Sequence, residues 1–180
     1  MKACVKFILT LMVAAALMMA FRALAFTLYT VNGTALEPEF SAGDRILVNR
    51  WSYGLRTGGT GSLFRYGRIC RSEVRRGDIV AFDSPVDSLS GIFVARCTAL
   101  PGDTVSDKGG PVIVPGTSTC ADREYYWMEA LGGPGAADSR IYGFVPEDRI
   151  IGRVCMIVYS HDDTEPIYTG YIQGRMLILK

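Results

Sequence analysis

The sequence predicts an all-β body with barrel-like or sandwich curvature behind one apolar N-terminal segment. Three observations predict it. Twenty glycines and eight prolines in 180 residues favour a turn-rich chain over a helical bundle. Short apolar segments recur between Gly/Pro turns, as in sandwiches and barrels. The apolar run Phe7 to Phe21, preceded by Lys2 and Lys6, stands apart from everything that follows.

The N-terminal run has two readings. In one, Phe7 to about Tyr29 is a membrane anchor, with Arg22 reaching toward the outer interface and the lysines holding the amino end inside. In the other it is a cleavable secretory signal, with Ala23-Leu24-Ala25 as the A-x-A site. Both place the body outside the cytoplasm.

Strands are expected in order along the body. Tyr29 to Asn32 approaches a turn at Gly33. Arg45 to Trp51 alternates apolar and polar residues after Gly43-Asp44, the period of a half-buried strand. Leu55 to Ser62 is a flexible loop by composition. Arg75-Arg76-Gly77-Asp78 turns into the buried strand Ile79 to Phe82. Ile92 to Leu100 is closed by Pro101-Gly102-Asp103. Tyr125 to Met128, Ile150 to Tyr159 and Met176 to Leu179 complete the set.

The 19 basic and 18 acidic residues leave a net charge of +1, which gives no electrostatic case for nucleic acid. Five cysteines without CxxC spacing and the single His161 argue against a zinc site, and no metal or cofactor is expected. Cys70, Cys97, Cys120 and Cys155 are open to two readings, disulfides in any of three pairings or small buried apolar residues. The only lysines are Lys2, Lys6, Lys108 and Lys180. That scarcity matters, because lysine can act as a base at low pKa whereas arginine stays protonated.

Four segments in order resemble the type I signal peptidases, membrane-anchored serine proteases that remove signal peptides. The first is Val31-Asn32-Gly33-Thr34-Ala35-Leu36-Glu37-Pro38 with Gly43-Asp44-Arg45. The second is Arg76-Gly77-Asp78-Ile79-Val80-Ala81-Phe82. The third is Phe93-Val94-Ala95-Arg96-Cys97-Thr98-Ala99-Leu100-Pro101-Gly102-Asp103. The fourth is Asp138-Ser139-Arg140-Ile141-Tyr142-Gly143-Phe144-Val145-Pro146, continuing to Ile151-Gly152-Arg153. The resemblance implies a coiled β-sheet or barrel body at 30–180 behind one transmembrane helix at 1–29. It implies a single-pass protein of a bacterial cytoplasmic membrane, with the body on the periplasmic or outer face.

The family's nucleophilic serine falls on Ala35 and its general-base lysine on Ala95. Acyl transfer needs a hydroxyl to attack and a neutral amine to take its proton, and alanine supplies neither. Thr34 leaves its strand on the other face, and Lys108 reads as a solvated turn residue. Supporting positions differ as well. Ala130-Leu131-Gly132 and Ala136 stand where members often carry Gly-Asp-Asn and a serine, Glu39 replaces a threonine, and Leu36 replaces a methionine.

What the resemblance leaves is binding of an extended strand. The positions that match the substrate cleft are Val31, Gly33, Leu36 and Pro38 on one side, and Ile92, Phe93 and Val94 on the other. The expected partners are signal peptides, preproteins or an active signal peptidase. The alternatives are an active peptidase with displaced catalytic groups and a non-enzymatic envelope scaffold. A cleavage assay separates the first alternative, and crosslinking to signal peptides separates the second.

Overall fold

A computed structural model of the chain describes residues 2–31, 36–58, 66–86, 91–107, 109–132, 138–161, 170–172 and 174, the side chains of 2–4 and 21–24 excepted. The expectations for Gly33, Thr34, Ala35, Lys108, Ala136 and the strand Met176 to Leu179 lie outside the described residues.

In chain order the elements are α1 (Lys2–Ala25), β1 (Phe26–Thr30), β2 (Asp44–Asn49), β3 (Leu55–Thr57), β4 (Gly67–Ile69), β5 (Ile79–Asp83) and β6 (Ile92–Ala99). Then come β7 (Thr104–Asp107), β8 (Gly110–Ile113), β9 (Tyr125–Glu129), α2 (Ser139–Tyr142), β10 (Val145–Pro146) and β11 (Ile150–Ser160). Seven strands form one antiparallel sheet in the order β1-β2-β11-β5-β6-β9-β10. β3 pairs with β4 and β7 with β8 as separate hairpins. The long β11 shifts register against β2 between Val154 and Met156 and between Ile157 and Tyr159. Such bulges raise local twist, and the sheet coils where the chain needs it to.

β5 shows how the sheet is buried on both faces. Val80 and Phe82 enter one apolar cluster, while Ile79 and Ala81 enter the other. An uninterrupted apolar strand is the pattern that two covered faces require. Gly43 sits where β2 begins, with φ of +86°. A Cβ there would lie 1.9 Å from the His161 carbonyl oxygen, so the Gly-Asp box is set by a close backbone approach.

The mostly-β body agrees with the sequence, and four details correct it. α1 ends at Ala25, and Phe26 already starts β1, because Phe-Thr-Leu-Tyr-Thr is a β-forming run. Leu55–Thr57 is a strand rather than loop. Arg56 holds it there, donating to Asp83 Oδ2 (2.8 Å) and to the Asp148 carbonyl (3.0 Å). The β7–β8 hairpin and α2 were not anticipated. Among the described residues Cys70, Cys97, Cys120 and Cys155 are free thiols, and only Cys97 is buried, so neither reading of the cysteines holds.

α1 is helical over 24 residues, and its described side chains from 5 to 20 are all exposed. Among the described residues no helix is long and apolar enough to cross a membrane.

The Pro101-Gly102-Asp103 turn carries a testable pH dependence. Asp103 Oδ2 accepts from the Leu100 amide (2.7 Å) and from Arg76 (2.6 Å). The backbone bond first, and the Arg76 guanidinium second, hold its carboxyl below the usual aspartate range. A folded pKa below the unfolded one gives stability that is present above about pH 4 and lost as pH falls through the folded value. Asp103→Asn is expected to remove that part of the acid sensitivity, read as a flatter urea midpoint between pH 5 and 2.

Candidate functional site

β6 carries the second half of the candidate site, and its two faces differ. Ala95 lies opposite Val80 in register and is 1% exposed. It belongs to a cluster with Tyr53, Phe82, Cys97 and Met128, against which Phe93 and Tyr142 pack. The rings of Phe82, Phe93 and Tyr142 form a triangle with centroids 6.0–6.2 Å apart. The fourth sequence box positions Tyr142. Asp138 Oδ1 accepts from the Arg140 amide, and Ser139 Oγ accepts from the buried Met128 amide, each at 2.9 Å. Asp138 is thus the N-cap of α2 and Ser139 its tie to β9.

Val94 faces the other way, onto a cluster that includes Val31, Phe40, Ile46, Ile79 and Ala81, with Leu36 and Leu131 at its border. Two residues further, Arg96 pairs with Glu39 across the surface. This pair links the segment just after position 35 to the residue just after position 95. Both side chains are more than a third exposed, so the pair locates the two segments and adds little stability.

Of the cleft positions expected from sequence, Val31, Leu36 and Val94 therefore come together on one face. Phe93 joins Ala95 on the opposite face, while Pro38 and Ile92 are exposed. Gly33 and Ala35 lie outside the described residues. Sequence reasoning missed Tyr142, Phe82 and the Glu39–Arg96 pair. The period-two geometry of a strand, which puts Val80 and Phe82 on one face of β5, was the available signal for Phe82. Nothing in the chain's spacing signals a pair between Glu39 and Arg96.

The edge of β6 is half open. Cys97 N–H donates to the Asp78 carbonyl (2.9 Å), Gly77 N–H to the Cys97 carbonyl (2.7 Å), and Ser84 N–H to the Gly91 carbonyl (3.1 Å). Odd-numbered residues of β6 thus turn their main chain toward β5, and Ile92 and Val94 turn theirs away. On that second side β9 pairs with β6 only from Arg96 onward. Among the described residues no strand pairs with Ile92 and Val94 there. Their N–H and C=O groups are a short template for an added strand.

The chemistry available beside Ala95 is poor. Cys97, a potential nucleophile, lies in the same cluster as Ala95. Burial, and then the Asp78 carboxylate, push its thiol up to about 12, so it stays protonated near neutral pH. Asp78 itself is held by the Tyr53 hydroxyl (2.9 Å), the Arg75 amide (3.1 Å) and Arg153 (3.5 Å), a structural arrangement. His161 packs edge-on against Tyr171, in a bridge beyond the end of β11.

Comparison with known proteins gives a consistent answer. The family model described as signal peptidase, peptidase S26, matches residues 4–133, which includes the segments around positions 35 and 95. A probable signal peptidase I-2 of Synechocystis sp. is 26% identical over 146 residues, covering 68% of this chain and 58% of its own length. A signal peptidase I of Bacillus licheniformis is 31% identical over 106 residues, covering 59% of this chain and 47% of its own. The mitochondrial inner membrane protease subunit 1 of Xenopus tropicalis is 31% identical over 94 residues, covering 52% and 55%. The chain spans between 28% and 64% of the length of the curated relatives it matches.

Proposed function

Since the chain belongs to the peptidase S26 signal peptidase family, we propose that it binds signal peptides or preproteins as an extended strand and does not cleave them. One observation carries this reading. Both positions that match the dyad, Ala35 and Ala95, are alanine, while among the described residues no strand covers the β6 edge at Ile92 and Val94. Main-chain hydrogen bonds along that edge supply affinity, and the face lined by Val94, Leu36 and Val31 receives small alternate side chains.

In this reading α1 is the membrane anchor. The support is the sequence, the apolar run Phe7 to Phe21 behind two lysines, and not the span of α1, which falls short of a crossing helix among the described residues. Lys2 and Lys6 keep its amino end inside, which puts the β body on the periplasmic or outer face of a bacterial cytoplasmic membrane.

The test is a cleavage assay on the full chain in detergent with an Ala-x-Ala signal-peptide substrate. Cleavage at background level is expected. Backbone donors alone leave at most about 10³–10⁴ over water, which is invisible beside a working protease. Turnover that disappears on changing Thr34 or Lys108 would establish the competing reading, an active peptidase with displaced groups.

A further inference from the structure

A cavity of about 280 Å³ opens at the far end of β6, lined by Val74, Leu100 and Pro101 together with Glu73, Glu124 and Tyr126. Leu100 is six residues beyond Val94, roughly 20 Å away along an extended chain, so the cavity is separate from the β6 edge. Its wall sets this apolar surface beside the carboxylates of Glu73 and Glu124, the hydroxyls of Thr117, Ser118 and Tyr126, and the guanidinium of Arg71.

Three features show how its polar groups are placed and which bonding positions they leave over. Tyr126 is only 5% exposed, yet its hydroxyl makes no hydrogen bond among the described residues. Tyr126 lines the cavity beside Glu124 and Arg71, and burial first, then the Glu147 and Glu124 carboxylates, push its phenol up. Glu124 is fixed by Thr117, which donates its hydroxyl and its amide (3.4 Å) to Oε1. Oε2 stays clear of those bonds. It lies where Gly116 leaves room, since a Cβ on Gly116 would approach Oε2 to 2.6 Å and Pro101 Cβ to 2.5 Å. Glu73 is exposed and unpaired among the described residues. Arg71, the one cation in the wall, is spent on Glu147 at 2.8 Å.

We propose that this cavity receives a lysine side chain of a partner protein, with the ammonium between Glu73, Glu124 Oε2 and the Tyr126 hydroxyl and the aliphatic stem against Val74, Leu100 and Pro101. Lysine matches the site on both counts. Its ammonium has three donors for three acceptors, and its four-carbon stem covers apolar surface. The charge balance favours a cation, because two carboxylates face the cavity while Arg71 is neutralised by a third.

The experiment uses the full chain in detergent micelles and the probe acetyl-Gly-Lys-Gly-amide, followed by NMR through the ring signals of Tyr126. Saturable shifts are expected with the lysine peptide. At least tenfold weaker binding is expected for the norleucine analogue and for Glu124→Gln. Glu73→Gln, at an exposed residue with no partner to lose, is expected to weaken binding severalfold without altering the fold. Equal binding of norleucine, unchanged binding by both variants, or no shift at Tyr126 would overturn the proposal. Binding of n-butylamine as tight as that of the peptide would also overturn it, making the cavity a small-amine site. The result is independent of whether the β6 edge binds signal peptides.

Discussion

Restoring both dyad residues, Ala35→Ser with Ala95→Lys, is expected to yield little or no cleavage, and Ala95→Lys alone is expected to destabilise the fold by several kcal/mol at neutral pH. Ala95 is 1% exposed among Tyr53, Val80, Phe82 and Met128. Adding a four-carbon stem and an amine to a packed cluster costs about 1–3 kcal/mol in strain alone. The amine adds a pH-dependent penalty. Burial lowers a lysine pKa by up to about 3–5 units. The unfolded chain then binds the extra proton first. The variant's deficit is therefore smallest above about pH 10.4 and grows by about 1.4 kcal/mol per unit as pH falls toward the folded pKa. Urea denaturation of parent and variant between pH 6 and 11 measures this. A deficit that does not change with pH would mean that the new amine reaches solvent.

The same burial is what a lysine base needs, so the missing element is orientation. The groups that hold the surroundings are already committed, Ser139 to the Met128 amide and Asp138 to α2. Ala130 and Leu131 have no side-chain hydrogen-bonding group to offer. A catalytic pair has to be held within about 0.5 Å of its working geometry, and its members act as a unit, so neither substitution alone is expected to give turnover. If the double variant cleaves as fast as an intact family member, the two alanines alone would account for the background-level cleavage proposed for the parent chain.

The second large effect is expected from Val94→Pro. The Val94 N–H points away from β5, so its loss breaks no bond of the β5–β6 ladder. Proline is tolerated at such an edge position and removes one donor from the template. Signal-peptide binding is expected to fall at least tenfold, with the urea midpoint shifting far less than for Phe93→Pro. Phe93 turns its amide into the β5 ladder, and proline there is expected to unfold the sheet. Fluorescence anisotropy with a labelled signal peptide measures the first effect and urea titration the second. Unaltered binding by Val94→Pro would remove the β6 edge from the account.

Much of this was legible in the chain because it rests on local rules. The Arg76-Gly77-Asp78 turn, the apolar run of β5, the alternation along β2 and the Pro101-Gly102-Asp103 stop all read directly as turn chemistry and period. What was not legible depends on contacts between distant residues. Leu55-Arg56-Thr57 reads as loop by composition and becomes a strand because Arg56 reaches Asp83 and Asp148. The change of main chain at Ala25 was hidden because Phe26 and Leu28 continue the apolar run of α1 at strand period. At the site, sequence placed Phe93 and Val94 in one cleft. Period-two alternation puts them on opposite faces, and only the pairing of β6 with both β5 and β9 shows which face is which.

The central claim is that an extended polypeptide lies on the β6 edge and leaves intact. The most direct measurement places a photo-crosslinking amino acid at exposed Ile92 in the full chain, adds a signal peptide with an Ala-x-Ala site, and weighs the adduct by mass spectrometry. The account predicts one adduct carrying the uncleaved peptide, formed less when unlabelled signal peptide competes. An adduct carrying only a cleaved fragment, or a yield no higher than with a scrambled peptide, would contradict it.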